Sequence, residues 1–264
     1  MSATGVWVVG TLTDEQVREL LLAAVRSSPS PPPPSAPTGV TAELAWWRGL
    51  GGESLFTERA AGEGGWVATE GAFRLYRFLD GCQDDSDAVE ELRDAVMEQF
   101  PAQEGEGLFA AAARKANPFW ALAYALGADA ALLLPGWFGD FLLTSAQVRA
   151  CLPRAEEALA LTGARRREVI ERVHAWLDGL GDDPAHDADA LLDGPLRVLR
   201  HAARTGRGRP AGTEGRMARL LALKCRHAGS VAECRRGSRA VAREPPQGAL
   251  RISRTWNGPS SSCR

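Results

Sequence analysis

The chain has 264 residues, 45% of them hydrophobic and 24% charged, with eight Trp and five Cys, enough apolar mass for a core and no case for a disulfide-stapled chain. The net charge of −2 hides a division: residues 204–264 carry fourteen Lys and Arg against three Asp and Glu, a net of +11, which leaves 17 against 30, a net of −13, for residues 1–203. An acidic body disfavours polyphosphate ligands, whereas a basic tail suits nucleic acid, an anionic surface or the body itself.

The opening "MSATGVWVVGTLTDEQ" has no Lys or Arg ahead of its short apolar run, so it reads as a strand over 5–10 and not as a signal peptide. It lacks the inner glycine of a dinucleotide fingerprint. "LTDEQVRELL" (12–21) and "LTSAQVRACL" (143–152) share Leu-Thr-x-x-Gln-Val-Arg-x-x-Leu. In each, Thr13 or Thr144 caps a helix start and Gln16 or Gln147 reaches back to the cap, so the chain twice builds strand, capping box and helix. "SSPSPPPPSAP" (27–37) holds six prolines and reads as an extended, solvated polyproline loop.

The tryptophan pair Trp46 and Trp47, like Trp137 and Phe138, places two large aromatics side by side. On a strand such neighbours point to opposite sides, so one of each pair is a candidate anchor for a partner protein. Residues 69–81 read as a helix with Phe73, Tyr76 and Leu79 on one stripe and Gly81 as C-cap. Residues 87–100 place Val89, Leu92, Val96, Met97 and Phe100 on one face, behind Asp84, Asp85 and Asp87 at the positive helix end. Residues 117–127 start with Asn117 as cap and Pro118 at the first helical position, and end on Gly127.

The apolar stretch 119–143 is long enough for a membrane span, but Asp129, Pro135 and Asp140 interrupt it and no positive flank follows. A mid-bilayer carboxylate costs about 2.5 kcal/mol or more, so the reading is a buried helix followed by a buried strand over 137–143, without a membrane. Asp140, set in that apolar run, is the one candidate acid or base for a hydrolase; the competing reading is a turn-capping Asp. A further stripe at Ile170, Val173, Leu177 and Leu180 marks a helix, and Pro195 opens a last one through Leu196, Leu199 and Ala203.

Taken in order, "LTDEQVREL", "AFRLYRFLDG" and "GWFGDFLLTSAQVRACLPRAEEAL" resemble the YfbM-like family of small bacterial cytoplasmic proteins of unknown function. The resemblance covers scattered parts of residues 5–205 and departs in the proline loop and the tail. It implies an opening strand with a Thr-capped helix, an aromatic-Leu helix closing on a Gly turn, and a later Thr-capped helix after an apolar strand. It also implies a short apolar strand after the last helix, near where this chain reads "TGRGRPAG" (205–212); that strand is read as missing, lost near residue 208, with unselected sequence after it.

From 204 onward Arg, Gly, Ala, Ser and Pro dominate, and after "MARLLALKC" no apolar period persists. Arg207 and Arg209 in "GRGRP" have the form of a minor-groove hook, but "AGTEG" follows where phosphate-binding cations belong, so DNA binding is the lesser reading. Cys225, His227 and Cys234, with His201, lack the tight Cys pair of a structural zinc site, so no metal or other cofactor is assigned. His174 and His186 read as surface residues. The composition is that of a GC-rich coding sequence read out of frame.

The expectation is an α+β domain over 1–208, rich in helices packed on a small sheet, followed by a disordered basic tail over 209–264. Its expected role is that of a non-catalytic cytoplasmic protein acting by protein-protein interaction through Trp46, Trp47, Trp137 and Phe138.

Overall fold

Strand β1 (Thr4–Leu12) organises the molecule. The computed structural model describes residues 4–13, 15–16, 19–20, 22, 40–60, 64–82, 87–100, 105–136, 141–182, 187–205 and 219–227; for 4, 87–90, 92, 142 and 219–227 it describes the backbone alone. On one edge β1 pairs antiparallel with β4 (Leu108–Ala113), Gly5 opposite Ala113 and Gly10 opposite Leu108. On its other edge it pairs along its whole length with β6 (Arg219–His227), Thr4 opposite His227 and Leu12 opposite Arg219. β6 in turn pairs with β5 (Phe141–Leu143), Phe141 opposite Ala222, giving the order β4-β1-β6-β5. β2 (Phe56–Glu58) and β3 (Trp66–Ala68) form a separate antiparallel pair.

Eight helices complete the described fold: α1 (Val40–Gly49), α2 (Glu70–Gly81), α3 (Asp87–Gln99), α4 (Pro118–Leu126), the one-turn α5 (Ala128–Ala131), α6 (Ser145–Leu159), α7 (Gly163–Gly179) and α8 (Ala188–Thr205). The architecture is α+β and helix-rich, as the sequence patterns lead one to expect.

Alternation along β1 divides the core. Trp7 and Val9 face the larger cluster, where Trp7 meets Phe109 and Phe119 edge-on at 5.5 and 5.1 Å and α4 is buried along all nine residues. Val6, Val8 and Leu12 face Val96 and Met97 of α3 and Phe100 just past its end. The glycines at the ends of "GVWVVG" serve this packing: a Cβ on Gly10 would lie 2.3 Å from the Phe100 ring, and one on Gly5 would lie 2.8 Å from the Ala116 carbonyl.

Local signals are realised at several ends. The Thr13 backbone N–H donates to Gln16 Oε1 at 2.8 Å and the Gln16 N–H to Thr13 Oγ1 at 3.2 Å; Thr144 and Gln147 repeat the box at 2.9 and 3.3 Å. β1 and β5 both run antiparallel to β6, so they are parallel to each other, and each leads straight into its own capping box. Asn117 caps α4, its Oδ1 accepting from the Phe119 N–H at 2.9 Å, and Gly127 follows at φ +85°.

Three expectations change. Residues 219–227, assigned to the tail, form a strand between β1 and β5, so the ordered sheet extends past the boundary placed at 208; 206–218 and 228–264 lie outside the described residues, as does the proline loop 27–37. Pro195 stands inside α8 and does not open it. The start lies seven residues earlier, where Asp187 Oδ1 accepts from the Ala190 N–H at 2.9 Å, and Leu191, Leu192, Leu196 and Leu199 make one continuous buried face. On α2 the buried residues are Ala72, Leu75, Phe78 and Leu79, so Phe73 turns outward, and the C-cap is Cys82, not Gly81. No described helix is long and apolar enough to cross a membrane.

Candidate partner-binding site

The outward turn of Phe73 locates the site. Thr69 starts α2, its hydroxyl accepting from the Ala72 N–H at 3.4 Å and donating to the Leu55 carbonyl at 2.8 Å. This fixes the rotation of the helix, and the 72-75-79 face goes to the core. On the outer surface Arg77 lies four residues from Phe73 and three from Arg74, spacings at which side chains are neighbours on a helix, so Arg77 joins the other two into one ridge. Phe73 is 47% exposed, the largest exposed aromatic side chain among the described residues.

Helix α1 supplies the rest. Glu43 and Trp46 lie one turn apart and face Arg74. The guanidinium of Arg74 stands over the Trp46 ring, 4.1 Å from its centroid. It also donates in bidentate fashion to Glu43, Nε to Oε2 at 2.9 Å and Nη2 to Oε1 at 3.0 Å. Those hydrogen bonds hold the Glu43 carboxyl below the usual glutamate range against the opposing effect of burial, with the charges of Arg74 and Arg77 adding to the shift. The same pair pushes Arg74 further up. Trp46, Arg74 and Glu43 are thus ordered in advance of any contact, and bidentate geometry defines the orientation of the guanidinium.

Trp47 has a different fate. It is 3% exposed and meets Phe78 edge-on at 6.4 Å, so it belongs to the core. The pair sits on a helix, where neighbours are about 100° apart rather than opposite; Trp46 is half-buried. Trp137, Phe138 and Asp140 lie outside the described residues, as do Arg207, Arg209 and His186.

Comparison with protein-family models, curated proteins and solved structures finds no match to this chain. The site therefore rests on its own geometry.

A concavity of ≈ 380 Å³ opens between α5, the end of α6 and the start of α7, with Leu126, Ala130, Leu133, Ala158 and Leu161 among its lining residues and Asp129, Glu157 and Arg165 as its charged members. Asp129 reaches across to Arg48 of α1 at 2.8 Å, while Arg165 is tied to the Leu126 carbonyl at 3.0 Å and to Glu168 at 2.9 Å. A ≈ 10 Å³ void beside Trp7, Phe141 and Pro195 has room for no more than one water.

Among the described residues no group of three or more His, Cys, Asp or Glu is placed to hold a metal ion. Glu171 and His174 have Glu-x-x-His spacing on α7 without such a group forming. Of Cys225 and His227 only the backbone, in β6, is described. Burial pushes the Cys151 thiol up, which lowers its reactivity.

Glu43, Arg74 and Arg77 are absent from the sequence reading, and Phe73 stands there only on the helix stripe with Tyr76 and Leu79. One signal in the sequence was usable: Ala72, Leu75 and Leu79 share a stripe from which Phe73 departs.

Proposed function

We propose that this chain is a non-catalytic cytoplasmic protein that binds a partner protein through the α1–α2 face. The observation that carries the reading is an exposed Phe73 beside a pre-ordered Trp46–Arg74–Glu43 assembly. Aromatic residues and Arg supply most of the binding energy at protein interfaces, and groups already held in place lose little entropy on binding. Kinship with YfbM-like proteins is part of the proposal. It is supported by β1 leading to the Thr13 box, the aromatic-Leu helix α2, β5 leading to the Thr144 box, and a strand after α8.

The test is quantitative capture from a native lysate with the full chain, because residues 219–227 belong to the sheet. Wild type is compared with a Phe73→Ser/Arg77→Glu double variant of unchanged circular dichroism. The reading expects at least one protein to be depleted about tenfold or more with the variant, a loss of roughly 1.4 kcal/mol. Identical captured sets contradict it.

A further inference from the structure

We infer that the α1–α2 face takes a peptide segment in which an aromatic residue lies within about three positions of Asp or Glu, an inference that rests on the partner-binding reading above. The chemistry follows from what the ridge has already committed. Nε and Nη2 of Arg74 are satisfied by Glu43 and its guanidinium covers the Trp46 ring, yet 43% of the Arg74 side chain remains exposed. What Arg74 offers is a fixed planar cation suited to stacking, and a third planar group laid on its exposed part extends the Trp46–Arg74 stack, while Phe73 supplies an exposed apolar surface four residues from Arg77.

Arg77 is different. It lies three residues from Arg74 and four from Phe73, its side chain is exposed, and it has no ion pair with any described residue. Its charge acts on Glu43 without an ion pair, and a carboxylate brought by a partner is its natural complement. At physiological salt, interactions between exposed charges fade beyond about 8 Å, so Arg77 and not the −13 of residues 1–203 governs contact at this spot. A basic segment would meet Arg77 as a like charge, and a purely aliphatic one would leave both the planar cation and Arg77 unused.

The experiment selects a random peptide library displayed on phage against the immobilised full chain in about 0.15 M salt. Parallel selections use Phe73→Ser and Arg77→Glu, each checked for an unchanged unfolding midpoint; Arg77→Glu alone serves if Phe73→Ser is less stable. The proposal expects enriched peptides to pair Phe, Tyr or Trp with a nearby Asp or Glu, and enrichment to fall about tenfold or more with Arg77→Glu. Peptides that depend on Arg77 or Phe73 but carry Lys or Arg, or lack an aromatic, overturn the partner chemistry and leave the face standing. Peptides retained equally by the variants, or no enrichment over the uncoated control, overturn the face as well.

Discussion

Replacing Asp182 by Ala should cost about 3–5 kcal/mol of stability. Asp182 follows α7 and is 7% exposed. Its Oδ1 accepts from the Arg114 N–H at 3.0 Å, and its Oδ2 from the N–H groups of Lys115 at 2.9 Å and Ala116 at 3.1 Å. These three amides turn the chain from β4 into the fully buried α4, so one carboxylate joins the end of α7 to the sheet and the central helix. A hydrogen bond to a charged group contributes about 1.5–3 kcal/mol. Ala116 is buried, and its orphaned amide should lose about 2–3 kcal/mol; Arg114 and Lys115 are exposed, so water replaces the carboxylate there at about 0.5–1 kcal/mol each. Asp182→Asn keeps one accepting oxygen and turns an N–H donor toward the others, and should fall between wild type and Ala. Equilibrium urea unfolding at neutral pH measures both. The expected loss is a large share of a total near 5–15 kcal/mol. A change below about 1 kcal/mol for Asp182→Ala, with an unchanged denaturant slope, would refute the idea that this carboxylate fixes the β4–α4 turn.

Gly194→Ala in α8 places a Cβ 2.1 Å from the Phe109 ring. Helix propensity alone favours Ala by about 1 kcal/mol, whereas overpacking costs about 1–3 kcal/mol, so urea unfolding should show a net loss; a net gain contradicts the close packing of α8 on β4. The Glu43 carboxyl titrates below the ordinary glutamate value of about 4.3 because Arg74 hydrogen-bonds its charged form. A carboxyl depressed on folding stabilises the fold above the unfolded pKa and loses that contribution as pH falls through the folded value. The ordered Trp46–Arg74 stack should accordingly persist at neutral pH and loosen in acid, and carbon-detected NMR titration should return Glu43 toward the ordinary range in Arg74→Met; an unchanged midpoint refutes the pairing.

What was legible in the sequence was mostly local. Thr13 with Gln16, Thr144 with Gln147, and Asn117 with Pro118 each state a helix start within a few residues, and the described hydrogen bonds follow them. Long-range pairing was not legible. "RLLALKCRH" sits in an Arg-rich stretch with no repeating period, and only its pairing with β1 and β5, strands drawn from 4–12 and 141–143, makes it central. Pro195 misled because proline favours a first turn, while burial of the 191-192-196-199 face overrides the lost backbone bond. Trp46 and Trp47 misled because adjacency was read with a strand's alternation. Of the site, Trp46 was named from sequence, but its partners come from α2, thirty residues on, and that pairing has no local signature.

The measurement that bears most directly on the architecture is amide hydrogen exchange of the full chain, resolved over residues 219–227 and read against β1. If these residues fill the slot between β1 and β5, their amides should exchange within about tenfold of those of β1, because the two strands share one ladder and open together. Exchange of 219–227 at the rate of an unstructured reference peptide, with β1 still protected, would contradict the sheet order β4-β1-β6-β5 and return the end of the domain to the boundary first read near residue 208.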